Sequence, residues 1–78
     1  MKTENKLKKI FSDIFKLDLD EINSDTSPNN CSTWDSFNMM KLIIVIEKEF
    51  DISISIDEVV QINDFSNLLE LVQQKIKE

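Results

Sequence analysis

Residues 33–50 read TWDSFNMMKLIIVIEKEF and contain the most apolar run of the chain. Asp35 is a favourable N-cap residue, so the pattern predicts a helix, helix 2, that runs from Ser36 to about Phe50. At about 100° per residue, the apolar side chains of this helix fall on two faces. The natural core face consists of Met39, Leu42, Ile43, Ile46 and Phe50.

The second apolar face lies roughly opposite the first. It consists of Phe37, Met40 and Ile44 and is flanked by Lys41, Glu47 and Lys48. A helix in a small bundle needs only one core face, so the second face requires an explanation. Two interpretations are open: additional core beneath a short third helix, or an exposed patch that docks on a partner.

The residues before helix 2 predict a first helix and a long loop. An apolar stripe with helical spacing indicates helix 1 from about residue 3 to residue 16, with Thr3 as its cap. The stripe consists of Leu7, Ile10, Phe11, Ile14 and Phe15. The passage from Asp18 to Asp35 is polar and rich in turn residues, and loops of this length inside a compact domain are usually functional. We expect the loop to be held against the core by Leu17, Leu19 and Ile22.

Residues 51–57, DISISID, alternate between polar and apolar and by themselves favour a strand. A hairpin is disfavoured because the connection to helix 2 lacks Gly, Asn and Pro, and because no third strand is available to support it. We therefore expect an extended connector anchored by Ile52, Ile54 and Ile56. Asp57 is expected to cap a short helix 3 that ends at Val60 or Ile62. Asp64 is expected to cap helix 4, whose stripe consists of Phe65, Leu68, Leu69, Val72 and Ile76.

These elements predict an all-α fold. It is a small four-helix bundle with three main helices, a short third helix and a long loop between helices 1 and 2. The 78 residues suffice for a single domain, residues 1–78, with a thin hydrophobic core. We expect this domain to be a monomer.

Composition restricts the classes of function. Nine lysines against fifteen acidic residues give a net charge of −6, which disfavours nucleic-acid binding and favours partners with basic surfaces. Histidine and glycine are absent, so histidine-based catalytic or metal sites and glycine-rich phosphate loops are excluded. The longest apolar run is far shorter than the roughly 20 residues of a membrane span. A single cysteine cannot form an internal disulfide, so we expect a cytoplasmic protein.

Ser36 opens helix 2 and has three candidate roles: a first-turn residue beside the Asp35 cap, a nucleophile, or a point of covalent attachment. A nucleophile is disfavoured because the chain offers no general base to activate it. A phosphodiester at this position would be favoured by the unpaired N–H groups and the dipole of the helix N-terminus.

Three other features predict no chemistry. The acidic segment that starts at Asp18 has a crude calcium-loop spacing, but it lacks the glycine of such loops and has Asn29 where an acidic residue is needed. We therefore expect no metal site. Cys31 has no cationic neighbour in sequence and is interpreted as an inert thiol. Trp34 is interpreted as a largely buried plug that closes the loop onto the bundle.

The chain resembles an acyl carrier protein over essentially its whole length. The signature of that family is Asp-Ser-Leu, or a close variant, at the start of the second helix, and here it reads Asp35-Ser36-Phe37. The family continues with an apolar helix that ends in a Glu-Glu-Phe-like sequence and an Ile-x-Ile connector. This chain has EKEFDISIS at residues 47–55.

The resemblance implies that Ser36, supported by Asp35, carries 4'-phosphopantetheine derived from coenzyme A and added by a phosphopantetheinyl transferase. The arm would hold an acyl or aminoacyl group as a thioester, so the protein itself would not be an enzyme. Acyl-loading and acyl-transferring enzymes are the implied partners. The implied partner-binding residues are Phe37, Met40, Lys41, Ile44, Glu47 and Lys48. The alternative is an unmodified helical adaptor that docks through helix 2.

Two departures from the family pattern bear on the pathway. Thr33 and Trp34 replace the usual Gly-Ala before Asp-Ser, and Lys41 and Lys48 occupy sites of helix 2 that are usually acidic. These departures favour a carrier of a specialised pathway, such as polyketide, peptide or amino-acid transfer, over one of general fatty-acid synthesis.

Overall fold

The computed structural model describes residues 2–76, whose regular structure is entirely helical. In chain order the elements are α1 (Lys2–Phe15), a 3-10 turn (Leu19–Glu21), α2 (Ser36–Phe50), α3 (Ile56–Val60) and α4 (Phe65–Ile76). Residues 2–76 contain no strand, so the all-α prediction is confirmed and the hairpin is absent there. The α2 helix begins and ends at the predicted residues, and helix 3 is the short one, as expected.

The core lies between α1, α2 and α4, each of which directs one apolar face inward. Its fully buried side chains include Leu7, Phe11, Phe15, Leu42, Ile46, Phe65, Leu68 and Val72. The ring centroid of Phe11 lies 4.3 Å from that of Phe15 and 5.4 Å from that of Phe65, so Phe11 packs α1 against α4. Burial of such a side chain contributes roughly 1.5–3 kcal/mol, so packing of these stripes holds the helices together.

Two helices end in the left-handed conformation without a glycine. Lys16, directly after α1, has φ 59°, and Asp51, directly after α2, has φ 55°. This geometry returns the chain toward the helix, so that the Leu17 N–H donates to the Ser12 carbonyl at 3.2 Å. A left-handed conformation costs a residue with a Cβ roughly 1–2 kcal/mol, so both ends carry some strain.

The long loop is fixed at both ends. Ile22 and Thr26 are buried, and the carbonyl of Thr26 accepts a hydrogen bond from the Phe65 N–H at 2.8 Å. Near the other end, the Thr33 hydroxyl donates to the Phe15 carbonyl at 2.7 Å. The loop therefore bridges the end of α1 and the start of α4, and it arrives at α2 in a defined position.

Asp57 does not cap α3, contrary to the prediction. Ser55 is the N-cap: its hydroxyl accepts from the Glu58 N–H at 3.2 Å, and the Glu58 carboxylate accepts from the Ser55 N–H at 2.9 Å. This capping box starts the helix early enough to include Ile56, which is 80% exposed and is therefore not a connector anchor. The predicted cap of α4 is confirmed, since the Asp64 carboxylate accepts from the Asn67 N–H at 2.8 Å.

Two smaller predictions are also wrong. Leu19 is 49% exposed, because the 3-10 turn directs it away from the bundle, and Ile22 holds the loop instead. Thr3 cannot be the N-cap of α1, because that helix already includes Lys2 and Thr3 is buried inside its first turn.

Candidate functional site

The start of α2 is held by its cap and by the end of the loop. Asp35 has an extended backbone, and its carboxylate accepts from the Asn38 N–H at 2.8 Å. The side-chain amide of Asn38 in turn donates to the Thr33 carbonyl at 2.8 Å. These two bonds fix the first turn of α2 against the loop, as the predicted Asp35 cap requires.

Ser36 is the first residue of α2 and is exposed to solvent. Its hydroxyl makes no hydrogen bond within residues 2–76, so it is accessible to another protein. The adjacent carboxylate of Asp35 is engaged as the cap of the helix. The N-terminus of a 15-residue helix favours a negatively charged substituent at this place. The arrangement suits attachment of a phosphate ester by an outside enzyme.

A groove of about 470 Å³ opens beside Ser36. It runs between the loop, the first turns of α2 and the end of α3, and its walls are mostly apolar. Six of its lining residues are Pro28, Trp34, Ser36, Met40, Val60 and Ile62. A flexible pantetheine arm on Ser36 could lie along this groove without displacing the core, so the residues present fit that group.

A second hollow of about 310 Å³ adjoins the groove between α2 and α3. Its lining is apolar and consists of Met40, Ile43, Ile44, Ile54, Ile56 and Val59. Met40 and Val59 line both spaces, so the apolar surface is continuous from Ser36 to the start of α3.

The second apolar face of α2 is exposed, and we name it the docking face: Phe37, Met40 and Ile44. Phe37 is 70%, Met40 64% and Ile44 60% exposed. The interpretation as additional core beneath α3 is therefore wrong. Exposed apolar side chains that lie together on a surface are typical of interaction sites.

The sequence did not reveal that α3 extends this apolar surface. Ile56 is 80% exposed and lines the second hollow, between α2 and α3. Val60 is 71% exposed and lines the groove beside Ser36. The five residues of α3 make little more than one turn, which is too short for a periodic pattern. The Ser55–Glu58 capping box was the available signal, since it places Ile56 at the first helical position.

The charged residues predicted for partner binding lie in different settings. Lys41 is exposed, and its ammonium lies 4.9 Å from the centroid of the Phe37 ring, at cation–π distance. Lys48 is exposed one helical turn beyond Ile44. Glu47 is half-buried, and its carboxylate accepts from the Ile54 N–H at 2.8 Å. Glu47 therefore fixes the connector, which adds a structural function to its predicted one.

Trp34 lies edge-on to the aromatic core but is only partly buried. Its ring centroid is 5.5 Å from that of Phe11 and 5.6 Å from that of Phe15. One part of the indole closes the loop onto the bundle, as predicted, while another part lines the groove beside Ser36. Most of the side chain is buried, in agreement with the prediction, although burial is not complete.

Cys31 and the acidic segment have local structural roles. The Cys31 thiol is buried, with its Sγ 3.3 Å from the Thr33 hydroxyl. The Glu21 carboxylate accepts from the Asp18 N–H at 2.9 Å and closes the 3-10 turn. Within residues 2–76 no group of three or more histidine, cysteine or acidic side chains is arranged to hold a metal ion. No helix in that part of the chain has the length and apolarity to cross a membrane.

Comparison with known families identifies a matching profile. The family described as a phosphopantetheine attachment site matches residues 5–72. Among curated proteins, the acyl carrier protein of Buchnera aphidicola subsp. Schizaphis graminum (strain Sg) is 32% identical over 74 residues, covering 95% of this chain and 94% of that protein. The acyl carrier protein of Buchnera aphidicola subsp. Acyrthosiphon pisum (strain APS) is 32% identical over 72 residues, covering 92% and 90%.

Comparison with solved structures gives the same result for the fold. The solution NMR structure of the holo acyl carrier protein from Geobacter metallireducens superimposes with a TM-score of 0.86. The two sequences are 30% identical, and the match covers 99% of this chain and 88% of that one. The similarity therefore extends over nearly the whole helical architecture.

Proposed function

The chain belongs to the acyl carrier protein family, and we propose that Ser36 is the residue to which its 4'-phosphopantetheine arm is attached. Members of this family are carriers and not enzymes. Because they carry an attached phosphopantetheine arm, the unmodified adaptor is disfavoured. One observation carries the proposal for Ser36. Its hydroxyl is exposed in the first turn of α2, makes no hydrogen bond within residues 2–76, and lies at the edge of an apolar groove of about 470 Å³.

Attachment at Ser36 requires a phosphopantetheinyl transferase, a partner that family membership implies. The Ser36 oxygen forms a bond to the phosphorus that bears pantetheine in coenzyme A. The diphosphate bond breaks, the nucleotide bisphosphate leaves with its electron pair, and the serine proton passes to a base of the transferase. Asp35 acts as a positioning residue, because its cap bond holds the first turn of α2 and thereby the hydroxyl.

Once attached, the arm supplies a terminal thiol that holds an acyl or aminoacyl group as a thioester. The chain's own contribution is to present that thiol beside a surface on which partner enzymes dock. We assign this surface to the docking face, together with Lys41, Glu47 and Lys48. The single cysteine supports placing the carrier in the cytoplasm.

The test of Ser36 is the mass of the protein after incubation with coenzyme A and a broad-specificity phosphopantetheinyl transferase. The parent is expected to gain the mass of one arm, and Ser36→Ala is expected to gain none. Ser32→Ala is the matched control, because Ser32 is an exposed serine four residues earlier in the same region. It should be modified like the parent.

Circular dichroism should show the parent's helical signal in Ser36→Ala, since Asp35 and not Ser36 supplies the cap. A gain of mass by folded Ser36→Ala would move the attachment to another residue. Loss of modification in Ser32→Ala alone would have the same consequence.

A further inference from the structure

The carboxylates of α2 are held by internal partners. This helix has two acidic residues, Glu47 and Glu49. The Glu47 carboxylate accepts from the Ile54 N–H at 2.8 Å, and the Glu49 carboxylate lies 3.6 Å from the Lys6 ammonium of α1. Each of these carboxylates therefore already has a partner within the protein before an enzyme docks.

The lysines of α2 have the opposite setting. Lys41 and Lys48 are the two basic residues of this helix, and both are exposed. Neither forms an ion pair within residues 2–76, in which the paired lysines are Lys6, Lys8 and Lys75. The Lys41 ammonium lies 4.9 Å from the centroid of the Phe37 ring, which holds the charge on the apolar surface itself.

Helical spacing aligns these lysines with the docking face. Phe37, Lys41, Ile44 and Lys48 follow one another at intervals of four, three and four residues. At about 100° per residue these four side chains fall within an arc of roughly 60°. The exposed surface of α2 is therefore a stripe in which apolar and cationic side chains alternate.

We propose that this stripe docks on an enzyme whose apolar cleft is rimmed by carboxylates placed opposite Lys41 and Lys48. The inference rests on the proposed function, because it specifies the partner of the same docking face. An acidic rim would pair with two cations that form no ion pair within residues 2–76, while a basic rim would place like charges face to face and weaken binding. The net charge of −6 affects the long-range approach of a partner. Once the two surfaces touch, the charges at the docking face determine whether binding is favourable.

The experiment uses one phosphopantetheinyl transferase in two forms as the probe. The native form is chosen for a carrier-binding cleft rimmed by lysine or arginine, and in the second form those residues are replaced by glutamate. The modification rate of Ser36, expressed as kcat/KM, is measured by intact mass for the parent and for K41E/K48E. The control K2E/K9E makes the same change in net charge on α1, where both lysines are exposed.

With the basic rim at low salt, K41E/K48E should be modified faster than the parent by on the order of 10-fold. With the glutamate rim the order should reverse, so that the parent is faster. The control should change much less in both cases. All differences should shrink at high salt, since the screening length falls from about 10 Å at 0.1 M to about 3 Å at 1 M.

Each of three other outcomes would overturn the inference. Equal rates for the parent and K41E/K48E with both forms would overturn the acidic-rim partner and leave the two lysines as solvated surface residues. An equal response of K2E/K9E would assign the effect to net charge and overturn it as well. Absence of modification in every variant, including the parent, would instead overturn the assignment of Ser36, and the inference with it.

Discussion

Trp34 shows how one side chain serves both the core and the site. Its indole packs edge-on against Phe11 and Phe15 and also lines the groove beside Ser36. We expect Trp34→Ala to lower the free energy of unfolding by roughly 2–3 kcal/mol, less than for a fully buried tryptophan because part of the ring is already exposed. Trp34→Phe, which keeps one aromatic ring, should lose less. Urea unfolding followed by circular dichroism measures both changes.

The fluorescence of Trp34 gives an independent measurement, because it is the only tryptophan in the chain. Partial burial predicts folded-state emission at a shorter wavelength than in the unfolded chain. Emission typical of fully hydrated indole in the folded protein, or an unchanged stability of Trp34→Ala, would contradict the packing described above.

At the scale of the element, the start of α2 combines helix stability with presentation of Ser36. Asp35→Ala removes the bond to the Asn38 N–H, so it should destabilise the protein by roughly 0.5–2 kcal/mol and slow the modification of Ser36. Asp35→Asn keeps a capping oxygen without the charge and should nearly preserve stability. Urea unfolding and the mass assay on the same samples separate the two effects.

The comparison of the two Asp35 variants assigns the function of the carboxylate. If Asp35→Asn is modified at the parent's rate, the cap alone positions Ser36. If it is as slow as Asp35→Ala, the negative charge itself is required by the transferase. Modification of Asp35→Ala at the parent's rate would remove Asp35 from the site.

Sequence alone was sufficient for the elements that bury one continuous face. The stripes of α1, α2 and α4 repeat over three or more turns, and each has its core side chains where periodicity places them. The same periodicity predicted the docking face, and the Asp35-Ser36 pair indicated the candidate attachment point.

By contrast, the prediction of Ile56 as a connector anchor was wrong. The alternation in DISISID resembles a strand locally, whereas the capping box of Ser55 determines the conformation of Ile56. The groove beside Ser36 could not be predicted, because residues from the loop, α2 and α3 form it only after folding.

At the scale of the whole molecule, one ion pair links α3 to α4. None of the five residues of α3 is fully buried, and the Glu58 carboxylate lies 2.9 Å from the Lys75 ammonium of α4. The Lys75 ammonium, and after it the Ser55 N–H, hold the pKa of Glu58 below its ordinary value. Glu58 therefore adds stability above the ordinary glutamate pKa, and this contribution is lost as the pH falls through the lowered pKa.

We expect Glu58→Gln to be less stable than the parent at neutral pH, with a difference that shrinks as the pH falls through the titration of Glu58. The effect should be small, because the pair is partly exposed to solvent. Urea unfolding at several pH values measures it. Glu70→Gln, on the exposed side of α4 and without an ion pair within residues 2–76, is the control and should show no such trend. A difference that grows in acid would contradict the ion pair.

The bonds between the loop and α4 have a consequence for the motions of the molecule. The Phe65 and Ser66 N–H groups, which a helix start would otherwise expose to water, donate to the Thr26 and Ser24 carbonyls at 2.8 and 3.3 Å. Any fluctuation that lifts the loop therefore also breaks these two bonds and exposes both N–H groups to water. Hydrogen exchange at the Phe65 amide would thus report the opening of the loop that leads to Ser36, although Phe65 itself belongs to α4.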